Sequence, residues 1–204
     1  MRLIFVGPQG SGKGTQAKRI AKRFGFCHIS SGDLLREVTG DLKLEVDKFM
    51  NKGDLVPDEL IVRILKERLK KVDCKKGFIL DGFPRNVSQV KELAKITDID
   101  KVVEISISDE ESIKRISGRR NCVKCGAIFN VNSSPRPKVE GVCDKCGGEL
   151  VQRADDNEKA LKERLKVYHK ETERILKMYK FMRVNGNNSI EKVEADIVEG
   201  VGLG

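Results

Sequence analysis

Near its start the chain runs Leu3-Ile4-Phe5-Val6 into Gly7-Pro8-Gln9-Gly10-Ser11-Gly12-Lys13-Gly14-Thr15. A short apolar run between Arg2 and Gly7 is the mark of a buried parallel strand entering a glycine loop. Beyond the loop, Ala17, Ile20, Ala21 and Phe24 form the apolar stripe of an amphipathic helix over residues 13–24. The loop fits G-x-x-x-x-G-K, with Gly14 where a Ser or Thr usually follows the Lys and Thr15 one place later. Glycines let successive backbone N–H groups turn toward one anion, the helix N-terminus adds positive potential, and Lys13 reaches terminal phosphates.

The rest of the chain repeats this alternation. Phe78-Ile79-Leu80 and Val102-Val103-Glu104-Ile105 read as further strands, and helical patterns occupy residues 59–69 and 87–93. The punctuation is βαβ, so the expected fold is α/β, a doubly wound parallel sheet with helices on both faces. The second strand ends in Asp81, placed as the carboxylate that holds Mg²⁺ or its waters beside a phosphate loop.

Two stretches interrupt the pattern. Residues 30–56 give short helical patterns broken at Gly32, Gly40 and Gly53, and residues 119–156 have Gly, Pro and Cys punctuation with no helical period. Residues 157–182 then read as one long charged helix, with Leu161, Leu165, Tyr168, Thr172, Ile175 and Tyr179 on one side. The expected division is a core of 1–29, 57–117 and 157–204, a small helical insertion over 30–56, and a β-rich, metal-clipped insertion over 118–156.

Charge narrows the ligand. The 40 Lys and Arg against 31 Asp and Glu give a net +9, which suits nucleic acid, an anionic membrane surface or small phosphorylated substrates. Only 5% of residues are aromatic and Trp is absent, so a stacking platform for single-stranded nucleic acid is poorly supplied and small anions are favoured. No run approaches a membrane span and no signal-peptide pattern opens the chain, so a cytoplasmic location is expected.

Six cysteines in a reducing compartment are poor disulfide candidates. Cys122-x-x-Cys125 and Cys143-x-x-Cys146, each followed by Gly, have the spacing of a closed four-thiolate Zn²⁺ site with no open position for catalysis. A redox reading suits C-x-x-C at the head of a thioredoxin-type helix, which is not the context here. Lys124, Arg136, Lys138 and Lys145 nearby leave room for a DNA-reading zinc ribbon. Cys27 and Cys74 lie outside the pattern and read as small apolar residues, and His28 and His169 as structural or solvated.

Five segments, GPQGSGKGTQ, HISSGDLLRE (28–37), LDGFPRN (80–86), SGRR (117–120) and RADDN (153–157), occur in this order. Together they resemble adenylate kinases of the long-lid, zinc-containing form over practically the whole chain. The resemblance implies transfer of the terminal phosphoryl of MgATP to AMP, giving two ADP, in a monomer that needs no nucleic acid or membrane. It makes residues 30–56 the AMP-binding insertion and 118–156 the lid. For ATP it implies phosphate binding by Gly10, Ser11, Gly12, Lys13, Gly14 and Thr15, adenine stacking by Arg115, phosphate contact by Arg119, and a lining of Ile128 and Phe129. For AMP it implies Ser31, Arg36, the peptide of Asp54, Leu55 and Val56, the turn Gly82, Phe83, Pro84 and Arg85, and Gln89 on the adenine edge. Arg153 and Arg164 would close on the phosphates at the transfer point, Asp33 and Asp81 would order Mg²⁺ waters, and Asp155 and Asp156 would act as hinge salt-bridge partners.

Two other functions fit parts of this pattern. A UMP- or CMP-directed kinase would share the loop and arginines. A zinc-ribbon nucleic-acid protein with a nucleotide switch would leave Arg36, Arg85, Arg153 and Arg164 as surface charge only.

Overall fold

The computed structural model describes residues 1–50, 52 and 54–204, so Gly53, expected as a break, lies outside the described residues. Five strands form one parallel sheet: β1 (Arg2–Val6), β2 (Cys27–Ser30), β3 (Phe78–Asp81), β4 (Lys101–Ser106) and β8 (Phe181–Asn185), in spatial order β2-β3-β1-β4-β8. Strand alternation sends Ile4 and Val6 of β1 to one face and Leu3 and Phe5 to the other, and all four are buried. Such double burial is why β1 reads as a continuous apolar run.

Helices cover both faces. On the Ile4 face lie α2 (Ser31–Glu37), α3 (Asp41–Met50), α4 (Asp58–Leu69) and α5 (Val87–Ala94), through side chains such as Leu35, Val46, Leu65 and Leu93. On the Leu3 face lie α1 (Lys13–Phe24) and α9 (Ile190–Val201), packed through Ala17, Ile20, Val193 and Ile197. A further helix, α6 (Asp109–Ser117), begins at Ser108, whose hydroxyl accepts the Glu111 N–H at 3.2 Å.

The first interruption is positioned by a cap. Ser30 ends β2 and also accepts the Asp33 N–H at 3.2 Å, so strand turns to helix in one residue. The second interruption is a small antiparallel sheet in which β5 (Arg119–Cys122) lies between β6 (Ile128–Asn130) and β7 (Leu150–Val151). Its apolar cluster holds only Cys122, Phe129, Cys143 and Leu150 as buried members.

The long helix expected over 157–182 is corrected. Helix α7 (Glu158–Val167) passes through a π-helical turn at Tyr168–Thr172 into α8 (Glu173–Leu176), and the chain then enters β8 at Phe181. The periodic match of Tyr179 hid a change from helix to sheet pairing, in which Phe181 lies opposite Val102 and Val184 opposite Ile105.

Cys27 and Cys74 are buried, as small apolar residues would be, and their sulfurs lie 2.8 Å apart. Arg68 donates to Cys74 Sγ at 3.1 Å and to both oxygens of Asp73, so a cation is already supplied beside these thiols. Burial pushes both thiols above their ordinary range, which keeps them unreactive.

Candidate active site

All of the loop, arginine and turn residues expected to act on nucleotides line one cavity of about 930 Å³ above the C-terminal ends of β1, β2 and β3. Parallel sheets place ligands at that edge because loops and helix N-termini converge there. The N-terminus of α1 is left open for such a ligand. Gly12 caps it in the left-handed conformation at φ 98°, no side chain accepts its N–H groups, and no acid stands in its first turn. By contrast α5 and α7 are closed by Asn86 and Asn157, which accept the N–H groups of Gln89 and Ala160 at 2.8 and 2.9 Å.

Gly14 explains its own departure from the usual motif. A Cβ there would stand 3.0 Å from Asp81 Oδ2, so the residue after Lys13 is small where the carboxylate comes close. Gly82 is similarly constrained, at φ 76° with its would-be Cβ 2.8 Å from Ser31 Oγ. Ser31 Oγ donates to Gly82 O at 2.6 Å, tying α2 to the turn after β3, whose Phe83–Pro84 peptide is cis.

Positive groups are crowded into this cavity. Lys13 Nζ donates to Gly7 O and Pro8 O at 2.6 and 2.8 Å. Burial lowers its pKa to about 8, against the attraction of Asp81 and with help from Arg85 and Arg119. Arg85 Nε donates to Gly82 O at 2.6 Å and is lowered to about 10, first by burial and then by Arg164. Arg153 is also lowered to about 10, by burial, Arg119 and Arg36. A cluster of cations depressed by burial and by one another is an electrostatic vacancy for anions.

Carboxylates neutralise part of it. Arg36 reaches Asp155 Oδ2 at 2.9 Å and Asp33 Oδ1 at 3.1 Å, while Arg164 also pairs with Asp155. Arg119 grips both oxygens of Asp156, with Nε at 2.8 Å from Oδ2. Asp155 and Asp156 are each 5% exposed. Burial alone would raise Asp155, but Arg36 and Arg164 outweigh it and hold its carboxyl well below the ordinary range. Since these pairs link α2 and α7 to residues 155 and 156 at the foot of the small sheet, they brace its attachment to the core.

Asp81 is partly buried at the end of β3, 3.5 Å from His28 Nε2. Burial opposes its charge, yet the neighbouring His28, Lys13 and Arg85 hold its pKa down. His28 therefore belongs to the cavity, whereas His169 stands outside it between Asp109 and Glu173, 3.0 and 2.9 Å away. Arg115 donates to Gly10 O at 3.3 Å and Gly186 O at 3.0 Å and pairs with Glu111 at 2.7 Å. Ile128 lines the cavity; Phe129 does so too while packing with Cys122 and Leu150.

Sequence reasoning missed the strip Gly186–Ser189, which closes the cavity near Arg115. Asn185-Gly186 followed by the capping Ser189 was its signal. Thr172 was seen only as an apolar-face member. In the π-helical turn its Oγ1 donates to Arg85 O at 2.9 Å, fixing the backbone of that arginine.

The four paired cysteines bring their sulfurs within 4.8 Å of one another, with contacts of 3.4 Å (Cys122 to Cys146) and 3.6 Å (Cys125 to Cys143). A tetrahedral ion with metal–sulfur bonds of ~2.3 Å separates its ligands by about 3.8 Å, so the group is able to hold a metal.

An uncapped phosphate loop, a buried carboxylate at the end of the neighbouring strand and converging arginines define a phosphate-loop kinase acting on nucleotides. A model of the family described as adenylate kinase matches residues 5–184. Relatives named adenylate kinase include those of Caldicellulosiruptor bescii, 46% identical over 100% of both chains, and Archaeoglobus fulgidus, 45% identical over 97% of this chain and 96% of the relative. That of Geobacillus sp. is 46% identical over 99% of each. The chain belongs to the adenylate kinase family, and adenylate kinase activity is its function. Among the described residues no helix is long and apolar enough to cross a membrane.

Proposed function

We propose that the cavity binds MgATP against the phosphate loop and AMP between α2, the 54–56 peptide and α5, and passes the terminal phosphoryl directly between them to give two ADP. The crowding of buried cations supports this most strongly: Lys13, Arg85 and Arg153, all depressed by burial, regain full charge stabilisation only when polyanions enter. Acceptor and donor are both phosphates, so the chain needs to position and neutralise them and supplies no general base.

In this reading Gly10, Ser11, Gly12, Gly14 and Thr15 wrap the ATP phosphates, Lys13 leaves the loop carbonyls for the terminal phosphate, and Arg115 covers the adenine beside Ile128. Ser31 and Arg36 take the AMP side, Arg85 its phosphate, and Gln89 its adenine. Arg119, Arg153 and Arg164 gather the charge of the transferring group, Arg119 and Arg164 exchanging Asp156 and Asp155 for phosphate as the lid closes. Closure excludes the water that would otherwise accept the phosphoryl. Residues 30–56 and 118–156 would be the moving insertions on a fixed core.

Asp81 and Asp33 would hold the waters of Mg²⁺. The partly buried Asp81 carboxylate, kept ionised by the His28, Lys13 and Arg85 around it, suits a hydrated hard cation. When bound, Mg²⁺ would neutralise phosphate charge. The four cysteines would hold Zn²⁺. Burial resists ionisation of Cys122, but the N–H groups of Cys125 and Lys124 favour its thiolate and draw its pKa down. The Gly148 N–H likewise favours the Cys146 thiolate, while the sulfurs around it push its pKa up, a repulsion between thiolates that a divalent ion relieves. We read the protein as a cytoplasmic monomer, since one chain carries every group the reaction needs.

A coupled assay with MgATP and each of AMP, UMP, CMP and GMP tests the acceptor. AMP is expected to exceed the pyrimidine nucleotides by roughly 10²-fold or more in kcat/KM, because one side of the base site is a fixed purine-edge partner. Preferred transfer to UMP or CMP would replace this reading with that of a pyrimidine nucleotide kinase.

A further inference from the structure

Gln89 is 2% exposed, lines the cavity, and both ends of its amide are committed. Its Oε1 accepts the Arg85 N–H at 2.7 Å, and its Nε2 donates to Asp58 Oδ1 at 2.7 Å. Asp58 is the first residue of α4, and Asn86 Nδ2 steadies the same carboxylate at 3.1 Å. The orientation of an amide is ordinarily ambiguous, since its two ends have the same shape. Here it is fixed by chemistry: a backbone N–H can only donate and a carboxylate can only accept.

We infer that Asp58, together with the Arg85 N–H, sets the base specificity of the acceptor site by locking the Gln89 amide in one orientation. This rests on the reading that Gln89 faces the acceptor base. An amide has two N–H bonds and two acceptor lone pairs, so one N–H and one lone pair remain for a ligand. A 6-aminopurine offers N1 as acceptor and N6–H as donor, which complements them. A 6-oxopurine presents the reverse, N1–H and O6. To receive it the amide must flip, placing its oxygen against the Asp58 carboxylate and its N–H groups against the Arg85 N–H. Both contacts are repulsive, and buried mismatched polar groups are what strong discrimination is made from. Asp58 touches no substrate in this account; it is a positioning residue acting through Gln89.

The test is Asp58→Asn, whose own amide can accept or donate and so removes one of the two repulsions that oppose a turned Gln89, leaving the one at the Arg85 N–H. Steady-state phosphoryl transfer from MgATP is measured with AMP and with inosine monophosphate, which differs by the 6-oxo group and its N1–H. The kcat/KM ratio of AMP to inosine monophosphate is expected to fall about 10-fold or more, mainly through better use of inosine monophosphate, with AMP turnover little changed. Glu59→Gln removes an exposed charge from the same helical turn without touching Gln89, and its ratio should match wild type. An equal loss on both substrates in Asp58→Asn, or an unchanged ratio, would overturn the inference while leaving the AMP reading intact. A wild type that shows no preference for AMP over inosine monophosphate or the pyrimidine nucleotides would overturn both.

Discussion

Lys13→Ala and Arg85→Ala each lower turnover by about 10³-fold, the scale of losing one preorganised cation from a charge-spreading transition state. The loss appears in kcat as well as kcat/KM, because these groups act most strongly on charge that develops at the transferring phosphoryl. The fold does not suffer. Burial lowers Lys13 to about 8 and Arg85 to about 10, so each charge is held in the empty protein at a cost. Removing either leaves melting temperature at or above the wild-type value, the trade between stability and activity expected of a strained site. Steady-state rates together with thermal scans check this. Near-normal rates would show that the cavity cations do not act on the transferring group, and collapse of the fold would show that they are structural.

The second large effect concerns the cysteines. The small sheet buries few apolar side chains of its own, Cys122, Phe129, Cys143 and Leu150. Two of those four are metal-ligand candidates, so much of its interior is the metal site itself. Structural zinc sites contribute several kcal/mol, and one kcal/mol shifts the melting point of a chain this size by roughly 2–4 °C. Chelation, or Cys143→Ser, is therefore expected to lower melting temperature by on the order of 10 °C. Turnover at low temperature changes by less than about threefold, provided the lid still closes. Metal analysis of protein purified without chelator should find one zinc per chain. A metal-free protein with an unchanged melting temperature would refute the site.

The parts of this molecule most legible in the sequence are those where local chemistry and global position coincide. β1, the phosphate loop and α1 could be read residue by residue, because apolar run, glycines and amphipathic helix follow one another without a gap. The cysteine pairs were equally plain, since metal-ligand spacing is a local property. Elements set by tertiary pairing were harder. β2 is four residues, Cys27–Ser30, two of them polar, and its strand character comes from lying beside β3. The first two residues of β8, Phe181 and Met182, were absorbed into the charged helix pattern because the strand gains its meaning only by pairing with β4. That the arginines of the recognisable segments would gather in one cavity was legible in the sequence, whereas Thr172 and Asp58 act on other side chains and backbone across 87 and 31 residues of sequence. No local pattern encodes such partners.

The π-helical turn illustrates the same limit. Leu161, Leu165, Tyr168 and Thr172 keep an ordinary helical spacing in sequence, yet the local widening at Tyr168–Thr172 turns Thr172 onto the backbone of Arg85. The sequence pattern located the face, and packing against the turn after β3 decided what that face does.

The account stands on direct transfer between two nucleotides in a cavity that excludes water. Its sharpest test is phosphorus NMR of the protein with MgATP and AMP, following ADP and inorganic phosphate together. Two ADP should appear for each ATP and AMP consumed, with no inorganic phosphate above the background without protein. Inorganic phosphate accumulating while AMP stays constant would mean that the cavity delivers the phosphoryl group to water, and would contradict the account at its centre.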